Sequence, residues 1–149
     1  FVRGVLETVK KLGWVPDVIH CHGWMSALMP LYVRSLYKDD PHFSESKIVY
    51  SAYESGFKGS LDKDLVKKLK FDGIEEDLSL LDDPTYNNLS KFAVEYSDAV
   101  GIGSENVEDE LLSHAQDSGK PVMEYTDVED SGKAYSEFYE TLVEEDMLV

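Results

Sequence analysis

Lys47-Ile48-Val49-Tyr50-Ser51-Ala52 is a β-branched and aromatic run entered from a charged residue, and its composition predicts a buried strand. Three more stretches share the pattern: Val18-Ile19 behind Pro16-Asp17, Asp98-Ala99-Val100-Gly101-Ile102-Gly103, and Pro121-Val122-Met123-Glu124-Tyr125. Pro121 has no N–H to give to a ladder, which places the last of them at a sheet edge. Between these runs the apolar spacing changes to three and four residues, predicting helices over 2–12, 25–37, 89–96, 107–116 and 135–143. Pro30, inside the second, either kinks it or marks its first turn. Apolar strands joined by helical crossovers build a parallel sheet buried on both faces. The expected fold class is therefore α/β, three-layered and doubly wound, with residues 1–149 forming one domain. Residues 61–81, where Lys67, Lys68 and Lys70 stand beside a run of carboxylates, fit the pattern least and are expected to be an exposed excursion with short helices.

Composition excludes several functions. With 14 Lys and Arg against 30 Asp and Glu, the 149-residue chain carries a formal charge of −16. Such a surface repels phosphate backbones and acidic headgroups, so neither nucleic acid nor a membrane is an expected partner. No stretch approaches the ~18 apolar residues of a membrane span. A lone cysteine, Cys21, cannot form an internal disulfide, which suits a reducing, cytoplasmic setting. Val2, Val5, Leu6, Val9 and Leu12 share a helical face from the first residues onward, so the chain is read as a fragment.

In a parallel sheet the residues beyond the carboxyl ends of the strands bind ligands. Those are His20-Cys21-His22-Gly23-Trp24, Tyr53 to Gly59, Gly103-Ser104-Glu105-Asn106 and Thr126-Asp127. His20 and His22, two apart, project from one face of a strand, as metal ligands do, but no third ligand stands nearby and hydrogen-bonded histidines are the plainer reading. No metal site is expected. Cys21 faces the opposite way, into the core. Gly56, Gly59 and Lys58 form a loop able to cradle a hydroxylated or anionic ligand, though not with P-loop spacing. Gly101-Ile102-Gly103-Ser104 is part of a dinucleotide fingerprint, but Asn106 stands where the third glycine belongs, and Ser104 read as a helix N-cap explains the segment equally well.

The run Pro16-Asp17-Val18-Ile19-His20-Cys21-His22-Gly23-Trp24, followed by Ala27-Leu28 and Pro30, resembles the bacterial glycogen synthase and plant starch synthase family, which has a His-x-His-Asp-Trp-His motif at this point. Residues 47–59 resemble the strand and loop of its His-Asn-x-x-Tyr-x-Gly motif, and residues 91–110 resemble the strand ahead of a Ser-Pro turn. The resemblance implies a Rossmann-like domain, part of the amino-terminal half of a two-domain GT-B glycosyltransferase. The implied reaction is retaining transfer of glucose from a nucleotide-sugar, usually ADP-glucose, to an α-1,4-glucan, with no further cofactor.

Carried onto this chain, the resemblance marks His20, His22, Trp24, Tyr53, Phe57, Gly59 and Ser104 as candidate substrate-binding residues and assigns no catalytic residue. The departures fall at the chemistry: Gly23 replaces the motif aspartate, Met25 its last histidine, and Tyr53 and Glu54 the His-Asn pair. The isolated chain is accordingly expected to be inactive. The alternative reading is a non-catalytic descendant that binds glucan or protein, with the acidic segment 61–83 as the protein surface.

Overall fold

The computed structural model describes residues 1–147. Four strands, β1 (Val18–His22), β2 (Lys47–Ala52), β3 (Ala99–Ile102) and β4 (Val122–Met123), form one sheet in the order β1-β2-β3-β4, every pair parallel. The intervening helices are α1 (Val2–Lys11), α2 (Met29–Arg34), α3 (Leu65–Phe71), α4 (Tyr86–Glu95) and α5 (Asp109–Asp117), and α6 (Val128–Met147) follows β4. This is the α/β fold class expected from the sequence, with helices on both faces, but the sequential strand order makes the sheet singly wound and not doubly wound.

Sequential strands joined by crossovers of one hand deposit every connecting helix on the same face. Accordingly Leu6, Leu31, Phe92, Leu111 and Ala115 share a core with Cys21, Ile48, Tyr50, Val100 and Ile102. That leaves the opposite face, with Val49 and Ala99, to one cover: α6 places Leu142 on it, with Phe138 and Tyr139 alongside. Each fully buried aliphatic or aromatic side chain here contributes about 1.5–3 kcal/mol.

Local chemistry explains where the boundaries differ from expectation. The second helix starts at Met29, after a 3-10 turn over Trp24–Ser26, and Pro30 sits in its first turn, where a missing N–H costs nothing. The sixth helix runs well beyond 135–143 because the Asp127 carbonyl accepts from Asp130 and Ser131 N–H and so starts it earlier. Helix α5 begins at Asp109 with Glu108 as N-cap, so Ser104 is not its cap. Segment 61–83 does contain short helices, but it is not simply exposed: Leu69, Ile74, Leu78 and Leu81 are buried in the main core, anchoring it there.

Polar ties close the frame. Asp98 accepts from Arg34 at 2.5 Å and from the Ile48 N–H at 2.7 Å, fastening α2 to the start of the sheet. The Lys120 ammonium donates to the carbonyls of Val94, Glu95 and Ser97, neutralising the negative end of α4.

Candidate functional site

The carboxyl ends of β2, β3 and β4 open onto a cavity of about 440 Å³ lined by Tyr53, Glu54, Gly103, Ser104, Tyr125 and Tyr135, among others. Ser104 Oγ accepts the Glu54 N–H at 2.9 Å, joining the loops after β2 and β3. Gly103 lies under the Tyr53 ring, and a Cβ there would come within 2.5 Å of it. The GxG spacing thus reflects close packing: Gly103 makes room for Tyr53, as Gly101 does for Ser51. Glu54 and Glu105 are the acidic side chains of the lining, which holds no Lys or Arg.

The candidate residues separate into three groups. His22, Tyr53 and Ser104 stand at the strand ends: His22 Nδ1 is hydrogen-bonded to the Tyr53 hydroxyl at 2.8 Å, and Tyr53 and Ser104 line the cavity. Trp24 and Phe57 pack edge to face at 5.1 Å, and Phe57 packs on Tyr86 in turn, so these rings form an aromatic wedge against the main core. Gly59, with φ of 79°, turns the loop between them and an isolated bridge from Ser60 to Thr85.

His20 is set apart. It lies under α6, one ring nitrogen bonded to the Tyr139 hydroxyl and the other to Ser51 Oγ at 2.7 Å, with Ser51 in turn 3.3 Å from the Tyr135 hydroxyl. A neutral imidazole has one donor and one acceptor to match two such hydroxyls, whereas an imidazolium would force both to accept. Burial, with His22 stacked at 3.8 Å, pushes the His20 pKa down to about 3, and burial also lowers that of His22. Burial, reinforced by Tyr135, raises that of Tyr53. Among the described residues, no group of three or more His, Cys, Asp or Glu side chains is placed to hold a metal ion. Cys21 is buried on the other face, its thiol pushed up to about 12 by burial.

Tyr135 and Tyr125 were not singled out by sequence. The only signal for Tyr135 was its four-residue spacing from Tyr139, which stacks both phenols on one side of α6 at 5.9 Å.

Gly23 has φ 68° and ψ −176°, a conformation essentially confined to glycine. Its backbone, and not only its side chain, thus departs from a motif with aspartate here. Gly23→Asp is expected to destabilise the chain by about 1–3 kcal/mol. Urea unfolding checks this, with Gly23→Ala predicted to lose a similar amount; an unchanged midpoint in both would show that the backbone relaxes freely.

The sheet is parallel throughout, and the loops at its carboxyl edge carry hydroxyls, phenols and carboxylates. The sequence model of the starch synthase catalytic domain matches residues 1–123. The chain is 33% identical over 115 residues to a glycogen synthase of Chlorobium phaeovibrioides, covering 77% of this chain and 23% of that protein. It is 49% identical over 59 residues to a glycogen synthase of Koribacter versatilis, covering 40% and 12%. Its fold matches the catalytic domain of Starch Synthase IV from Arabidopsis thaliana, solved bound to ADP and acarbose, with a TM-score of 0.61 at 18% identity over 85% of this chain and 28% of that one. The chain belongs to the glycogen and starch synthase family of glycosyltransferases. It spans about a quarter or less of the length of the curated relatives it matches. Residues 124–149, including the whole of α6, lie beyond the matched segment.

Proposed function

We propose that the chain forms one wall of an α-glucan-binding cleft in a glycogen or starch synthase-type glycosyltransferase that uses ADP-glucose or another nucleotide-glucose as donor. The observation that carries this reading is the cavity at the carboxyl ends of the strands, where the Tyr53, Tyr125 and Tyr135 side chains supply apolar faces and hydroxyls to a sugar ring. Its carboxylates, Glu54 and Glu105, with no Lys or Arg in the lining, favour a neutral polyol over a diphosphate. A cytoplasmic setting is part of the same proposal and is supported by the free thiol of Cys21. No helix among the described residues is long and apolar enough to cross a membrane.

Maltooligosaccharide titration followed by NMR tests the site. Shifts are expected at Tyr53, Ser104 and Tyr135, with ADP producing none. Failure of millimolar sugar to move these signals would remove the site.

Assayed alone, the chain is expected to incorporate no radiolabelled glucose from ADP-glucose into glycogen. Retaining transfer requires donor and acceptor held together across a closed cleft, and this chain offers one wall. Gly23 supplies no carboxylate, and the Tyr53 phenol cannot exchange protons as an imidazole does near neutrality. Incorporation above a matched blank, lost in Tyr53→Phe, would overturn the expectation. The same replacements favour the second reading, a non-catalytic module with segment 61–83 as its protein-facing surface, where Phe71 is 92% exposed. Activity of the longest chain containing these residues separates the two readings.

A further inference from the structure

Helix α6 is held to the sheet differently from the helices on the other face. Among the side chains described in it, Leu142 alone is fully buried, whereas α4 buries Tyr86, Leu89, Phe92, Ala93 and Val94. The rest of its grip is largely polar: the Tyr139 hydroxyl meets one ring nitrogen of His20, Ser51 Oγ meets the other, and Ser51 stands 3.3 Å from the Tyr135 hydroxyl. An element with few buried apolar groups opens locally well below the free energy of global unfolding. The same helix furnishes part of the glucan cavity, since Ser131 and Tyr135 belong to its lining, as do Tyr125 and Thr126 from the segment leading into α6. Tyr135 therefore belongs to both assemblies, its hydroxyl beside Ser51 and its ring 5.0 Å from that of His20.

The order of protons in this chain of groups gives the link a direction. When the His20 nitrogen facing Ser51 carries the proton, Ser51 accepts from it and donates to Tyr135, Tyr139 donates to the other nitrogen, and the Tyr135 O–H is left to donate to a sugar oxygen. In the reverse order Tyr135 donates to Ser51 instead. A sugar that accepts from Tyr135 selects the first order, and hydrogen bonds aligned head to tail strengthen one another. With α6 lifted, the cavity loses Tyr135 and Ser131. The docked and lifted helix therefore differ in affinity for a sugar, which is what a ligand needs in order to shift the balance between them. We propose that α6 is a clasp on the glucan cavity: a bound sugar tightens its docking through Tyr135, Ser51 and His20, and docking in turn raises the affinity for the sugar. The clasp rests on the glucan reading of the cavity and adds regulation to it.

Hydrogen exchange of the full chain with and without saturating maltotriose, alongside NMR of the cavity residues, provides the test. Maltotriose is expected to slow exchange about fivefold at residues 139–143, which lie outside the cavity lining, and to leave α4 unchanged. Coupling is reciprocal, so Tyr139→Phe and Leu142→Ala, neither in the lining, should each weaken maltotriose binding about fivefold while α4 keeps its protection. Tyr139→Phe conserves the ring and answers the question even if Leu142→Ala fails to fold. In Tyr135→Phe, saturating sugar should still shift Tyr53 and Ser104 but no longer slow exchange at 139–143. Glu137→Gln, exposed on α6 with Lys133 at 3.7 Å, should change neither readout. Shifts at Tyr53 and Ser104 with unaltered exchange at 139–143 would overturn the clasp and leave the cavity standing. Slowing that persists in Tyr135→Phe, parental affinity in Tyr139→Phe, or equal weakening by Glu137→Gln would do the same. No shift at Tyr53 or Ser104 at millimolar maltotriose would remove the cavity and the clasp together.

Discussion

Between pH 7 and pH 4 the chain is expected to lose roughly 2 kcal/mol of stability through His20 alone, after solvent screening at the half-open edge of its cluster. The sign follows from proton linkage. The folded pKa is held at about 3, whereas the unfolded imidazole titrates near 6.5, so the unfolded chain takes up the proton first as the pH falls. The contribution is complete above pH 6.5 and is lost progressively from there to about pH 3. His22, also lowered, acts in the same direction, while the Tyr53 and Tyr139 phenols, pushed up by burial, add nothing in the acid range. Urea unfolding at several pH values, with His20→Asn as partner, isolates the effect from the many carboxylates. The variant should be less stable at pH 7 yet lose correspondingly less on acidification, and the protection factors of the α6 amides, taken against the intrinsic exchange rate at each pH, should fall at pH 4 in the parent. Parallel pH profiles for parent and variant would refute the assignment.

Gly101→Val is expected to destabilise the fold by about 3 kcal/mol, at the upper end of overpacking costs. A Cβ at this position would stand 2.4 Å from Ser51 Oγ and 3.6 Å from the Tyr135 hydroxyl. Ser51 is wholly buried and bonded to His20, so it has nowhere to retreat without breaking the hydroxyl and imidazole chain beneath α6. The damage should therefore reach the helix: urea midpoints fall, and hydrogen exchange rises in α6 more than in α4, which lies on the other face of the sheet. Ser51→Gly introduced into Gly101→Val should recover part of the loss by vacating the contested space. A double variant no better than the single one would place the clash elsewhere, and an unchanged midpoint in Gly101→Val would show that the strands separate at no cost.

The sheet was legible because its information is local. Residues 48–52 and 99–102 are buried along their whole length, so each is a largely apolar run that sequence shows directly. The helices that pack on them carry a matching three- and four-residue spacing, most clearly α4, started by Thr85 accepting the Asn88 N–H. Boundaries were less visible, since Ser104 has the chemistry of a helix cap but is engaged by the Glu54 N–H from another loop.

The candidate site divides along the same line. The family, and the strand ends at which His22, Tyr53 and Ser104 stand, followed from motif and spacing alone, because strand-end residues are contiguous in the chain. What only the tertiary structure decided is which of those groups are committed to one another. His20 shares a strand face with His22, yet its ring is closed off by Tyr139, 119 residues away, and Ser51, 31 away. Which helix covers a bare sheet face depends on where the chain goes after its last strand. Periodicity makes an amphipathic helix recognisable, but it does not name the surface that the helix will bury.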